Sequence, residues 1–177
     1  MTERKEPSDL QKGLIAEGTY LRGRILAAYA QIEFLLADLS VKLDLKFPYL
    51  ITKRIKAAKD IANRPGYEAY RDELVKVCDD LLQYDEMRNI MAHGFMMLTT
   101  DKRGNHIFDM MMYRRAGDKF ERLEIQTTVE RMQMASDDII AYVQNAIRLF
   151  SRIYLEKQLE HPVDGILTEK KSPSPGP

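Results

Sequence analysis

Apolar side chains at Leu14, Leu21, Ile25, Tyr29, Ile32, Leu36, Leu39 and Leu43 recur in steps of three, four and seven, which lines them along one face of a single long α-helix. So continuous a stripe has to be buried against other elements, and this commits the chain to a mainly helical core. Gly13, Gly18 and Gly23 weaken the first half of that helix by roughly 1 kcal/mol each relative to alanine. Phe47 and Pro48 end it, because a residue before proline is pushed out of helical geometry.

A second helix follows from Leu50 to about Asn63, with a thin apolar side and a closing Arg64-Pro65-Gly66 breaker. Residues 51–65 hold Lys53, Arg54, Lys56, Lys59 and Arg64 against the single acid Asp60, the strongest local basic patch. A third helix is expected from about Tyr67 to His93, with Tyr70, Leu74, Val77, Cys78 and Leu81 on one face and Gly94 as its C-terminal cap. The period then changes. Residues 95–100, 106–113 and 119–126 read as short strands separated by Asp-Lys-Arg-Gly-Asn and Ala-Gly-Asp turns. Thr127 with Glu130 has capping-box spacing and opens a last helix whose face is Met132, Ser136, Ile139, Val143, Ala146, Ile147, Phe150 and Tyr154. The expected architecture is mainly α: an antiparallel helical bundle with a small β-hairpin or three-stranded insertion before the last helix.

With 177 residues, 45% of them apolar, the chain can bury roughly 70% of its unfolded surface without disulfides or a structural metal. One domain over residues 1–158 is expected, followed by a disordered, Pro-rich tail over 159–177 that is too polar to build a core. The only cysteine, Cys78, cannot form an intramolecular disulfide, which is compatible with a reducing cytoplasm. It sits on an apolar helix face and reads as a small buried hydrophobe. The first ten residues carry no secretory signal pattern, and no run approaches 18 apolar residues, so no membrane partner is expected. Twenty-seven basic and 27 acidic residues cancel, so a nucleic acid would have to be held by a local patch.

The chemistry concentrates at the end of the third helix. Counting 100° per residue from Leu74 carries Asp85, Arg88, Asn89 and Ala92 onto the core-facing stripe, with His93 one turn beyond Asn89. A charge on such a stripe is costly unless paired. Two readings stay open: a structural helical ion pair with His93 at the helix end, or a site in which an imidazole moves protons and a guanidinium stabilises a phosphate. His106, His161 and Cys78 lack metal-ligand spacing, so neither metal nor other cofactor is expected. Lys53, Arg54 and Lys56, with Arg103, Arg114, Arg115, Lys119 and Arg122, form either a backbone-holding surface for RNA or a solvated face. Met96, Met97 and Met110 to Met112 are either core or an adaptable contact surface.

Arg88-Asn89-Ile90-Met91-Ala92-His93-Gly94 resembles the Arg-Asn-x-x-x-His signature of the HEPN superfamily, and the first helix with Ile32-Glu33 is similar to that of its members. The resemblance spans roughly residues 14–157. It implies a helical bundle that forms a homodimer with the two motifs facing across a cleft, and metal-independent RNA cleavage in many members, among them toxins with antitoxin partners and phage-defence proteins. Carried over, Arg88 binds phosphate, His93 is the general acid or base and Asn89 orients the site, with Asp85 and Glu33 in support. Where some toxin families have tyrosine after His-x, this chain has Phe95, so modification there is not implied. Other members of the superfamily are non-catalytic nucleotide- or protein-binding modules, and that alternative stays open.

Overall fold

The computed structural model describes residues 6–45 and 51–160. Within these lie five α-helices, α1 (Asp9–Lys42), α2 (Ile51–Ile61), α3 (Arg71–Gln83), α4 (Asp85–His93) and α5 (Val129–Glu156). Three strands, β1 (Phe95–Thr100), β2 (His106–Ala116) and β3 (Lys119–Thr127), come just before α5. The chain is therefore mainly α with a three-stranded antiparallel sheet where the change of period predicts one. Phe47, Pro48 and Leu50, and all of the expected tail except Leu159 and Glu160, lie outside the described residues. Among the described residues no helix is long and apolar enough to cross a membrane.

The chain divides into two compact units, Met1–Gln31 with Gln83–Val143, and Ile32–Leu82 with Gln144–Pro177. The first holds the whole sheet. Its strands are ordered β1-β2-β3, with Phe95 opposite Met111, Met97 opposite Asp109, Tyr113 opposite Arg122 and Arg115 opposite Phe120. Both hairpins turn where the sequence places them. Asp101 accepts backbone N–H bonds from Arg103 (2.8 Å) and Asn105 (2.9 Å), and the Asn105 side chain first, then these backbone donors, hold its carboxyl below the usual carboxylate range. Gly117, at φ 64°, supplies the positive φ that a two-residue hairpin turn needs. Because side chains alternate across the pleat, Phe108 and Met110 share one face, and both are buried. Phe108 packs on Gly18 of α1, whose Cβ, were it present, would stand 2.5 Å from the ring. Gly18 is thus a packing position as well as a weak point in helix propensity, whereas Gly13 and Gly23 face open space.

In the second unit, Ile32, Leu35, Leu36 and Leu39 of α1, Ile55, Ala58 and Ile61 of α2, Leu74, Val77, Cys78 and Leu81 of α3, and Phe150, Ile153 and Tyr154 of α5 are buried. The part-buried polar tips are tied down. Tyr154 donates to Asp38 and Tyr70 donates to Glu156, while Lys59 pairs with Asp79. Here α1 ends at Lys42, ahead of the expected Phe47-Pro48 stop. The cause is a Schellman motif: Asp44 takes φ 52°, its N–H reaches the Val41 carbonyl at 3.0 Å, and the N–H of Leu45 reaches that of Ser40 at 2.9 Å.

The expected third helix is the largest correction. A 3-10 turn, Glu68–Tyr70, leads into α3, and a break at Tyr84 separates α3 from α4. No proline or glycine causes it. The Tyr84 carbonyl receives the Tyr29 hydroxyl at 3.1 Å, and the Tyr84 ring lies 6.5 Å from the Tyr29 ring and 6.2 Å from that of Tyr142. The same carbonyl still accepts the Arg88 N–H at 2.9 Å, so the Tyr29 contact marks the break without replacing a rung of the helix. The wheel counted from Leu74 therefore does not run through to His93. The fully buried residues of α4 are Ile90 and Met91, and Asp85, Arg88 and Asn89 are half-buried beside them.

Two end signals also shift. Thr128, not Thr127, caps α5: its hydroxyl accepts the Arg131 N–H at 3.3 Å. Gly94 has φ −71° and ψ 142°, so it is not a left-handed cap. Its N–H bonds the Ile90 carbonyl at 2.8 Å, and a Cβ there would collide with that same oxygen.

Candidate functional site

Four of the candidate site residues, Asp85, Arg88, Asn89 and His93, lie on the nine-residue helix α4. Asp85 and Glu86 occupy the first turn and His93 the last, the arrangement that suits the helix dipole at both ends. Between them runs a hydrogen-bonded chain. Asn89 Nδ2 donates to Asp85 Oδ2 at 3.3 Å, and Arg88 Nη1 donates to Asn89 Oδ1 at 3.1 Å. Asp85, Asn89 and Arg88 are thus brought together, with Asn89 oriented by both neighbours. His93 follows Asn89 by one helical turn and is exposed. Tyr29 borders the group, and its hydroxyl is pushed well above its ordinary pKa, first by burial, then by Tyr84 and Asp85, with Arg88 opposing. It is a neutral donor throughout the physiological range.

The end of α4 is held from outside the helix. Arg22 of α1 donates through Nε to the Met91 carbonyl and through Nη2 to the Ala92 carbonyl at 3.3 Å. These are last-turn carbonyls with no partner inside the helix. A positive charge there is favourable to the dipole. Sequence reasoning missed Arg22; an arginine on the flank of an amphipathic helix gives no local sign of a target 69 residues away. On the other side of α4, Met87, Ile90, Met91, Met110 and Met132 line a cleft of about 280 Å³ rimmed by Glu86 and Arg131. Four of its walls are methionines; of the set flagged in the sequence, Met110 is buried and lines it, while Met97 is exposed.

Of the other sequence candidates, Glu33 is half-buried on the stretch of α1 that belongs to the second unit. Lys53 and Lys56 are exposed on α2 and Arg54 is half-buried there, also in the second unit. Arg114 and Arg115 are exposed on β2 in the first. Arg114 is bound by Glu86 at 2.5 Å and by Glu121 at 3.6 Å, which leaves it a structural tie between α4 and the hairpin. Arg115 Nε donates to the Gly117 carbonyl at 2.9 Å. Cys78 is buried, and burial pushes its thiol up to about 12; it is a packed side chain and not a nucleophile. Among the described residues no group of three or more His, Cys, Asp and Glu gathers as metal ligands. Comparison with family models, with curated proteins and with solved structures found no match to this chain.

Proposed function

We propose that the chain is a metal-independent endoribonuclease of the HEPN type, acting as a homodimer. The observation that carries this reading is the Asp85–Asn89–Arg88 hydrogen-bonded chain one turn before an exposed His93 on the same short helix. An oriented guanidinium beside an accessible imidazole supplies what phosphodiester cleavage needs: a stabiliser for charge that grows on the phosphate and a group that exchanges protons near neutral pH. With a single carboxylate in the cluster, the nucleophile has to come from the substrate, and the ribose 2′-hydroxyl is that group.

In the proposed reaction His93, from one or both protomers, takes the proton of the 2′-hydroxyl as its oxygen attacks phosphorus. The bond to the 5′-oxygen breaks, a proton passes to that leaving oxygen, and the product is a 2′,3′-cyclic phosphate with a free 5′-hydroxyl. Arg88 neutralises the crowded phosphate between these steps. Pairing of two copies through a two-fold axis would bring both motifs into one cleft. The lone, buried Cys78 suits a reducing cytoplasm, where such an enzyme meets RNA in a toxin or phage-defence role, with or without an antitoxin partner.

The second reading, a non-catalytic dimeric module that binds nucleotide or protein, is favoured by the same pairing: Arg88 already spends one donor on Asn89. One assay separates the two. RNA is incubated with the protein in EDTA, beside the same RNA carrying a single 2′-deoxy position at the cut site. Cleavage that survives EDTA and stops at the deoxy position supports the enzyme. Cleavage that EDTA abolishes, or that ignores the deoxy substitution, rejects the mechanism, and binding without cleavage favours the module.

A further inference from the structure

The sheet has a second face, which the helices of its unit do not cover. The register places Phe95, Met97 and Thr99 of β1, Asp109, Met111, Tyr113 and Arg115 of β2, and Phe120, Arg122 and Glu124 of β3 on it together. Its aromatic residues are strongly exposed: Phe95 by 63%, Tyr113 by 70% and Phe120 by 73%. Three exposed rings on one open face are unusual for a surface with no partner.

Their positions follow a rule. Phe95 stands opposite Met111, Tyr113 lies two residues further along β2, and Phe120 stands opposite Arg115, two residues further again. The rings therefore step diagonally across all three strands. Each step crosses one strand spacing and advances two residues, so successive Cα atoms are about 8 Å apart by ordinary sheet dimensions. The diagonal ends at Phe95, two residues after His93.

The charges on this face are arranged around the rings. Tyr113 is opposite Arg122, and Arg115 is opposite Phe120, giving a checkerboard of rings and guanidiniums at the hairpin end. The face's two carboxylates are already occupied: Glu124 holds Arg122 at 2.8 Å, and Asp109 accepts from Thr99 at 2.7 Å and Gln126 at 2.8 Å. No carboxylate among the described residues pairs with Arg115, nor with Lys102 and Arg103 at the opposite end of the sheet. Aromatic planes beside Arg115, the guanidinium of the checkerboard that no carboxylate holds, suit a strand of bases and phosphates better than an apolar partner, which would have to bury that cation unpaired.

We propose that this open face is a stacking platform for single-stranded RNA, with bases on Phe120, Tyr113 and Phe95 and the phosphate backbone near Arg115, delivering the strand toward His93. The proposal deepens the nuclease reading and rests on it for the identity of the ligand. Duplex RNA presents no free base faces and is excluded. Stacking is indifferent to the 2′-hydroxyl, so single-stranded DNA of the same sequence binds the platform without being cut.

The test is fluorescence anisotropy with a labelled, unstructured 12-nucleotide RNA on the full chain carrying His93→Ala, and with the matching DNA on the parent chain. Tyr113→Ala and Phe120→Ala should each weaken both by about 5- to 150-fold, the range for losing one stacked base. Phe120→Tyr should bind like the parent, while Phe120→Leu, which keeps apolar area without a π-face, should resemble Phe120→Ala. Circular dichroism checks that these exposed substitutions leave the fold intact. Parent-like binding by all variants, or full binding by the leucine variant, overturns the platform. So does sedimentation showing that Phe120→Ala converts a dimer to monomer with RNA binding unchanged, since the face would then be a contact between copies. If the stacking pattern holds while no preparation cleaves RNA, the platform stands and the nuclease reading fails; if RNA is cut but the pattern is absent, the reverse follows.

Discussion

Arg22 donates through Nε to the carbonyl of Met91, so the first helix grips the turn from which His93 projects. The guanidinium answers two last-turn carbonyls at once, since Nη2 also reaches Ala92 at 3.3 Å. Arg22→Ala should lower stability by about 1–3 kcal/mol, the range for leaving a part-buried acceptor without its charged donor. Arg22→Lys should recover only part, because an ammonium lacks the fork that spans two carbonyls. Denaturant midpoints read the stability. RNA cleavage by Arg22→Ala should also fall at temperatures where the variant is still folded; unchanged midpoints would show that the contact does not hold the helix end.

Within the polar chain of α4 the roles should separate in kinetics. His93→Ala and Arg88→Ala are each expected to lower cleavage by 10² or more, roughly the scale for losing a general acid-base or an electrostatic stabiliser. On the proposed mechanism Asn89 is a positioning residue, acting through its hydrogen bonds with Arg88 and Asp85. Asn89→Ala should therefore lower kcat by less while keeping the parent's pH profile. A parent rate in folded His93→Ala would remove the imidazole from the mechanism.

Three glycines in one helix give an internal control. Gly18→Ala drives a Cβ into the Phe108 ring, which stands 2.5 Å from that position, and should destabilise by about 1–3 kcal/mol as overpacking. Gly13→Ala and Gly23→Ala, with open space around them, should stabilise by about 0.5–1 kcal/mol through reduced backbone entropy cost. Thermal melts of the three variants suffice. The same sign for all three would show that Phe108 yields without cost.

Burial raises the Cys78 thiol from an ordinary 9.0 to about 12, with Lys59 opposing and Asp79 assisting. The folded pKa lies above the unfolded one, so this group's contribution is fully present below about pH 9 and is lost as pH rises toward 12. Over that window the unfolded chain releases a proton that the folded chain keeps, and stability should fall by up to about 1.4 kcal/mol per pH unit from this group. A chain carrying Cys78→Ala should show a shallower alkaline loss than the parent. Thiol labelling at pH 8 should track unfolding; rapid labelling of native protein would contradict the burial.

The sheet was legible because its turns are written locally: Asp101 and Gly104 close one hairpin and Gly117 the other, at the positions their residue types demand. The interruption at Tyr84 was not legible. It coincides with contacts from far along the chain, the Tyr29 hydroxyl 55 residues away and the Tyr142 ring, on a stretch with no proline or glycine to announce it. The candidate motif survived that error, since Asp85 to His93 lie wholly beyond the break and their mutual spacing is helical in either case. What changed is which side chains are core: Ile90 and Met91 replace the stripe extrapolated from Leu74. The shift from Thr127 to Thr128 at the start of α5 is of the same small kind, two adjacent threonines competing for one cap.

Gly94 is the whole of the connection between α4 and β1, and its N–H is still bonded into the helix that it leaves. A hinge commonly spreads a displacement over a few residues, and this junction has only Gly94 to give. A load on Phe95 is therefore felt by the helix behind it as by the short arm of a lever. Whatever lies down on the sheet has no slack to take up before it reaches the imidazole.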